Sequence, residues 1–191
     1  MAGYQPIRLE YFNQNADFPS LQVYWSLSGE RGQRRHLSDA VTILSDSRST
    51  GQTWSYTFEP PIEDWMKLDF DDSEWETGIG GFGAHGTPGA VVRTVWSTPQ
   101  IWLRKTFELD HIPTRVGLNL HHDEDVQIFI NGTRVTNRRG YLTSYRTVDL
   151  KKTALKIGQN VIAVNCTQTG GGQYIDVGIA EEHAVTYASG L

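Results

Sequence analysis

The sequence predicts an all-β protein, an antiparallel β-sandwich of the jelly-roll kind, and three observations carry that prediction. From about residue 53 onward, short runs alternate apolar with polar residues, the period-two pattern of half-buried strands. Turn residues separate the runs, most clearly Asn131-Gly132, where both central residues of a tight type I′ turn need positive φ. No long stretch has the 3.6-residue period of an amphipathic helix, so about seven or eight short strands stand without a competitor.

Taken in order, Tyr4–Phe12 and Leu21–Trp25 each alternate and are separated by the turn-forming 13–17 segment, which predicts a hairpin. Two strands alone bury too little to fold independently. Residues 43–52 are polar and Gly-containing and read as a linker, so the expected organisation is 1–42 hairpin fragment, 43–52 linker and 53–191 sandwich. Trp54–Phe58 reads as the first sandwich strand, ended by Pro60-Pro61. Acidic residues around Asp64 and Asp71 suit a single helical turn. The Gly-dense stretch Gly78–Gly89 lacks the Lys-Ser/Thr ending and the βαβ setting of a phosphate loop, and reads as a long irregular surface loop.

In the strand 101–109, Ile101, Leu103, Phe107 and Leu109 share a face interrupted by Lys105, with Trp102 and Arg104 on the other. Val116, Leu118 and Leu120 form the next strand and lead into a polar loop, His121 to Asp125. Val126, Ile128 and Ile130 then alternate up to the Asn131-Gly132 turn. Further strands are expected over 133–135, within 141–150, over 160–166 and over 174–179, with one helical turn over 151–156. The final residues, 181–191, show no clear period.

The bulk numbers exclude several classes. The chain has 191 residues, 38% hydrophobic and 20% charged, which suits a folded domain. Net charge is −5 with no concentrated basic run, so nucleic acid is not an expected partner. No apolar run approaches the ~18 residues that span a membrane. The single cysteine, Cys166, excludes an internal disulfide and reads as a small buried hydrophobe. The start, Met1-Ala-Gly-Tyr-Gln5, lacks a signal peptide; the chain is expected to be cytosolic or a piece of a longer secreted protein.

Two resemblances add to this reading. Gly3-Tyr-Gln-Pro-Ile-Arg-Leu-Glu-Tyr11, Leu21-Gln-Val-Tyr-Trp25 and Leu37-Ser-Asp-Ala40 resemble the closing hairpin of a protective-antigen-type sugar-binding sandwich. That family's calcium motif is missing here, so no binding residue is carried over. Trp102-Leu-Arg-Lys-Thr-Phe107, Asp125-Val-Gln-Ile-Phe-Ile-Asn-Gly132, Gly140-Tyr141 and Gly158-Gln-Asn-Val-Ile-Ala-Val164 together resemble the galactose-binding-like fold over about 53–180. Their order is similar to the N-terminal sugar-binding domain of family 2 glycoside hydrolases. The resemblance implies a jelly roll attached to secreted polysaccharide-degrading enzymes. It implies no catalytic residue, because that family's acid and nucleophile lie in a separate barrel domain.

The candidate ligand residues follow from residue chemistry. A sugar ring stacks its C–H face on an exposed aromatic while carboxylates, imidazoles, amides and Arg take its hydroxyls. The aromatic candidates are Trp96, Trp102, Tyr141, Tyr145 and Tyr174, with Trp102 alternatively a core residue. The polar candidates are His121, His122, Asp123, Glu124, Arg93, Arg104, Gln168 and Gln173, with Arg104 alternatively neutralising the acidic loop. A metal site at His121–Asp125 is disfavoured because adjacent side chains on extended backbone point opposite ways. Asp125 is expected to be structural, bonding backbone at its strand start. No cofactor is required; Asp69, Asp71 and Asp72 could supply oxygen ligands to a structural calcium, although the spacing is not that of a helix–loop–helix site.

These readings converge on a non-catalytic carbohydrate-binding domain of a secreted, multi-domain glycan-degrading enzyme, extracellular or periplasmic. Its partners would be a poly- or oligosaccharide and the other domains of the parent enzyme. The alternatives are a structural spacer or docking sandwich with no ligand of its own, and a glycoside hydrolase using Glu124 with Asp176 or Asp123.

Overall fold

The computed structural model describes residues 41–181 together with Tyr24–Trp25 and Arg35–His36. Two compact units are distinguished, and the sandwich is the one comprising Ala40–Glu182. The other contributes a described strand pair, β1 (Tyr24–Trp25) against β2 (Arg35–His36), antiparallel with Tyr24 opposite His36. The strand expected over 4–12, the start of the one over 21–25 and the tail beyond 181 lie outside the described residues.

The sandwich strands are β3 (Val41–Leu44), β4 (Thr53–Thr57), β5 (Glu76–Ile79), β6 (Phe82–Gly83), β7 (Thr94–Val95) and β8 (Gln100–Leu109). They continue with β9 (Val116–Asp123), β10 (Asp125–Ile130), β11 (Thr133–Arg138), β12 (Arg146–Asp149), β13 (Gly158–Thr167) and β14 (Tyr174–Glu181). One sheet runs β11-β10-β13-β8-β4-β5; the other runs β12-β9-β14-β6-β7, with β3 also paired to β14. Every pairing is antiparallel except β6 with β7. The described residues contain no α-helix, only a short 3-10 turn at Lys152–Ala154 where one helical turn was expected. The expected all-β, antiparallel sandwich is the observed one.

The core lies between the sheets and is built from the alternation read in the sequence. Ile101, Leu103, Phe107 and Leu109 on β8, Val126, Ile128 and Ile130 on β10, and Ile162, Val164 and Cys166 on β13 face it from one side. Val116, Leu118 and Leu120 on β9, with Ile175, Val177 and Ile179 on β14, face it from the other. Since successive strand residues point to opposite faces, these sets fix what the outer faces carry.

Both outer faces are covered by irregular segments of the chain itself. Residues 59–75 cross the first sheet and bury Trp65 against Trp102, Ala163 and Phe129, with Met66, Phe70 and Trp75 packed around them. Arg104 on β8 is 2% exposed and holds this segment down, donating to the carbonyls of Trp65, Lys67 and Phe70 and to the Asp72 carboxylate. A buried carbonyl without a donor costs about 1–3 kcal/mol, so one guanidinium with five N–H groups suits a loop that cannot form ladder bonds. Instead of the helical turn expected there, Lys67 N–H bonds Asp64 C=O (2.8 Å) and Trp75 N–H bonds Asp72 C=O (3.0 Å) as isolated turns.

Two expectations about loops are corrected. The presumed linker, 43–52, belongs to the sandwich: β3 pairs with β14 at Leu44 opposite Ile179, Leu44 joins the core, and Ser47 is fully buried. Ser47 finds its partners on distant strands, while Asp46, Arg48 and Ser49 bond to one another within the turn. The Gly-dense stretch is a surface loop only in its second half, because Gly80, Gly81, Phe82 and Gly83 are buried and Phe82 packs in the core.

The Asn131-Gly132 turn joins β10 to β11 with φ of 50° and 82°, as the dipeptide predicts. Asn131 does more than turn the chain. Its Oδ1 accepts Val161 N–H (3.0 Å), and its Nδ2 donates to Ala154 C=O (3.0 Å) and Asn160 Oδ1 (2.7 Å). Asn131→Ala should therefore lower the unfolding free energy by about 2–3 kcal/mol in urea titrations, and Asn131→Gly, which keeps the turn but not the bonds, by less. Equal losses in the two variants would mean that turn geometry contributes nothing.

Candidate functional site

Pairing of β9 with β14 places Asp123 opposite Tyr174, Asp176 opposite His121 and Asn119 opposite Gly178. Because Leu118, Leu120, Ile175 and Val177 face the core, these six residues lie on the outer face of the second sheet. The 45–49 turn, part of the 84–93 loop and the segment leading into β12 close over them. Gly178 permits the approach: a Cβ there would sit 2.9 Å from Leu44 O and 3.1 Å from Asp46 N.

A buried polar network results. Asp176 Oδ2 accepts Tyr145 Oη–H at 2.5 Å and Ser47 N–H at 2.7 Å. Ser47 Oγ lies 2.9 Å from Tyr145 Oη and 2.8 Å from Tyr174 Oη, and the two phenols are 3.0 Å apart. The imidazole of His121 packs edgewise on both rings, with centroids 5.2 Å from Tyr145 and 4.8 Å from Tyr174. Arg93 donates to the carbonyls of Ser47 and Ser49 and ties the turn from its other side.

The electrostatics follow from burial. Desolvation pushes both phenols up, helped by the Asp176 charge. Desolvation also raises the Asp176 carboxyl, opposed by the donors Tyr145 and Ser47. Burial lowers His121, so its ring is neutral, and Nε2, 2.9 Å from Leu142 C=O, is the nitrogen that carries the proton. Nδ1 has no partner among the described residues. The hydroxyls of Ser47, Tyr145 and Tyr174 and the Oδ2 of Asp176 are engaged with one another, so the network behaves as a fastener.

The expected polar loop 121–125 is corrected to two strands. β9 runs through Asp123 and β10 starts at Asp125, so the chain crosses between sheets at Glu124, over a cis Asp123–Glu124 peptide. His122 faces the sandwich interior, with Nδ1 2.5 Å from Glu124 C=O. Asp123 is 6% exposed, packs beneath Gly172, and its Oδ1 has no partner among the described residues. Glu124 accepts Thr169 Oγ1–H at 2.8 Å. Asp125 has the structural role expected of it, its Oδ1 accepting Gly140 N–H at 2.7 Å.

The remaining sequence candidates are scattered. Trp96 is fully buried in the core, its Nε1–H bonding Thr98 Oγ1, so it cannot stack on a ligand. Gln173 is buried, donating from Nε2 to Thr98 C=O at 2.7 Å. Gln168 bonds within its own loop to Gly171 C=O. Tyr174 is fully buried and Tyr145 half-buried under Arg48, whereas Tyr141 is 64% exposed. Arg104 sits on the first sheet, where it pairs with Asp72 rather than neutralising the His121–Asp125 segment. The calcium candidates do not converge: Asp72 pairs with Arg104 at 3.1 Å and Asp71 accepts Ser73 N–H at 3.0 Å. Among the described residues no three His, Cys, Asp or Glu groups are placed to hold a metal ion.

Residues that the sequence left unassigned form an open cleft of about 360 Å³ beside the network. Thr42, Leu44, Ser45, Asp46, Arg48, Ser49 and Asn119 line it. Asp46 holds Arg48 in a fork (Nε–Oδ1 3.1 Å, Nη2–Oδ2 2.7 Å), and the guanidinium lies 4.0 Å above the Tyr145 ring. No local signal marks these residues, since each acquires its place through contacts between distant strands.

No protein-family profile matches the sequence, and no curated protein matches it. Solved structures do share the fold. A β-glucuronidase from glycoside hydrolase family 2 is 19% identical with a TM-score of 0.51, over 74% of this chain and 18% of that one. A family 2 glycosyl hydrolase from Bacteroides cellulosilyticus is 18% identical with a TM-score of 0.51, over 68% and 20%. A Bacteroides uniformis β-glucuronidase is 19% identical with a TM-score of 0.51, over 75% and 18%. The similar region is thus about a fifth of each of those chains.

Burial raises Asp123 from 3.8 to about 6, helped by the hydrogen bond its protonated carboxyl donates to Glu124 and by the Glu124 charge. The folded state then holds this proton more tightly than the unfolded one, so the group's stabilising contribution is complete below about pH 4. It is lost as pH rises towards about 6. Urea midpoints should fall across that interval, and less steeply in Asp123→Asn; an unchanged slope in the variant would place the titration elsewhere.

Proposed function

We propose that this chain is a galactose-binding-like, jelly-roll accessory module of a larger extracellular or periplasmic glycan-degrading enzyme. Its work is structural: it presents a rigid sandwich to the other domains and carries out no chemistry. The observation that carries this reading is the closure of both outer sheet faces by the chain's own segments, which buries or engages most of the groups expected to grip sugar, Tyr141 and Glu124 excepted. Trp96 and Tyr174 are fully buried and Trp102 is 8% exposed, so among the described residues no row of aromatic rings faces solvent to form a stacking platform. The likeness to about a fifth of family 2 glycoside hydrolase chains supports a module among several, though at such identity it speaks for the fold alone.

The carboxylates support the non-catalytic part. A glycosidase flanks an open cleft with two carboxyl groups, one able to reach the glycosidic oxygen. Asp176 is 3% exposed and held by Tyr145 and Ser47, and Asp123 is buried beneath Gly172. Glu124 alone remains half-exposed, bonded to Thr169. A carbohydrate-contacting role is favoured by one specific feature, the hydroxyl- and amide-lined cleft at Asp46, Arg48 and Asn119.

Incubation with a panel of p-nitrophenyl glycosides, a β-glucuronide among them, should give no turnover above buffer. Turnover that Glu124→Gln abolishes would overturn the reading and make the chain an enzyme.

A further inference from the structure

The turn after β8 carries a histidine bracketed by two carboxylates. His111 Nδ1 lies 2.5 Å from Asp110 Oδ1, and Nε2 lies 3.0 Å from Oε2 of Glu181, 70 residues further along the chain. A neutral imidazole has one N–H and one bare nitrogen, and a bare nitrogen at that distance sets its lone pair against a carboxylate oxygen. Only the imidazolium donates on both sides. Of the three groups the ring keeps its proton to the highest pH, since free carboxyls titrate near about 4 and free imidazole near about 6.5. The bracket is therefore complete only while His111 is charged.

The two partners are not equivalent. The Asp110 side chain is 94% exposed and that of Glu181 only 6%. Water and salt screen the first pair, which contributes little. The Glu181 carboxylate has no other hydrogen-bond donor among the described residues, and a buried carboxylate that loses its donor is costly. Its position makes that cost local. Glu181 ends β14, opposite Val116 at the start of β9 and Val41 at the start of β3. The sandwich unit runs from Ala40 to Glu182, so Val41 and Glu181 are the strand residues at which the chain enters and leaves it.

The ring is the cationic donor of this corner. The cleft beside the bracket adds Glu108 on β8 and otherwise Thr42, Ile43, Leu109 and Pro113, with no lysine or arginine in its lining. Arg115, next to Val116, is already partnered. The hydrogen bonds to Asp110 and then to Glu181 raise the ring above its ordinary 6.5 against desolvation, and the bond to His111 lowers Asp110. A value raised in the folded state gives a stabilisation that is complete below about 6.5 and lost as pH rises through the higher folded value. That interval lies above the one in which Asp123 titrates, which ends at about 6, so the two effects are separable.

We propose that His111 is a pH-operated latch on the strand ends through which the chain enters and leaves the sandwich. Charged, it ties the turn after β8 to the last residue of β14 and so holds β14 against the starts of β3 and β9. Neutral, it lets these ends fray while the core stays closed. The latch does not rest on the accessory-module reading.

The test is amide hydrogen exchange of the whole chain on either side of the titration, with an NMR titration of the His111 ring. Exchange is expressed as protection factors, which removes its intrinsic dependence on pH. Between about pH 6 and about pH 8.5, protection over 41–44 and 179–181 should fall about fivefold or more, while the middles of β8 and β13 keep theirs. The ring should titrate above 6.5, with both nitrogens protonated at the lower pH. Glu181→Gln, whose amide needs no cation, should make protection over these residues the same at both pH values. His111→Ala should leave it low at both. Wild-type protection that does not change with pH, a ring that titrates at or below 6.5, or a pH dependence that persists in Glu181→Gln would each overturn the latch.

Discussion

The structure depends on how it satisfies the backbone of the irregular segments that it buries. A two-sheet sandwich has two outer faces, and here each is covered by chain that cannot extend a ladder. Carbonyls and N–H groups in such segments need donors and acceptors from side chains, at a cost of about 1–3 kcal/mol for each group left unpaired. Arg104 meets that demand on the first sheet by serving three carbonyls and Asp72. On the second sheet, Asp176 takes Ser47 N–H directly and, through Tyr145 and Tyr174, fixes the Ser47 side chain. The two clamps use opposite charges for the same purpose.

That use has a functional consequence. Charged and aromatic residues on sheet faces are the usual material of a carbohydrate platform, and this chain has six Trp and eight Tyr. Trp65, Trp102, Trp96 and Tyr174 are instead buried, in the core or beneath covering segments. A small polar cleft lies open at the edge of a clamp, where the same bonds that hold the 45–49 turn also orient Arg48.

Much of the fold could be read from the sequence because strand alternation is local. The inward and outward sets on β8 and β10 are as the pattern implies, the Asn131-Gly132 turn has both positive φ values, Asp125 bonds backbone, and Cys166 is buried. The outer faces were not legible for a physical reason: period two says which side a residue points to, not what lies above it. Arg104 looks like an exposed cation until residues 59–75 fold over it. Ser45, Asp46, Ser47 and Arg48 look like linker because Ser47 finds its partners at Tyr145, Tyr174 and Asp176, about a hundred or more positions away. His121, Tyr145 and Tyr174, singled out from the sequence as ligand residues, come together as a fastener below the surface.

The most direct measurement of this account is amide hydrogen exchange in Asp176→Ala. If Asp176 is the clamp of the second sheet, exchange at Ser47 and Arg48 should rise by about tenfold or more while amides of β8 and β13 keep their protection, because only the covering turn is released. Unchanged protection at Ser47 would contradict the account, since the turn would then be held by something other than the buried carboxylate.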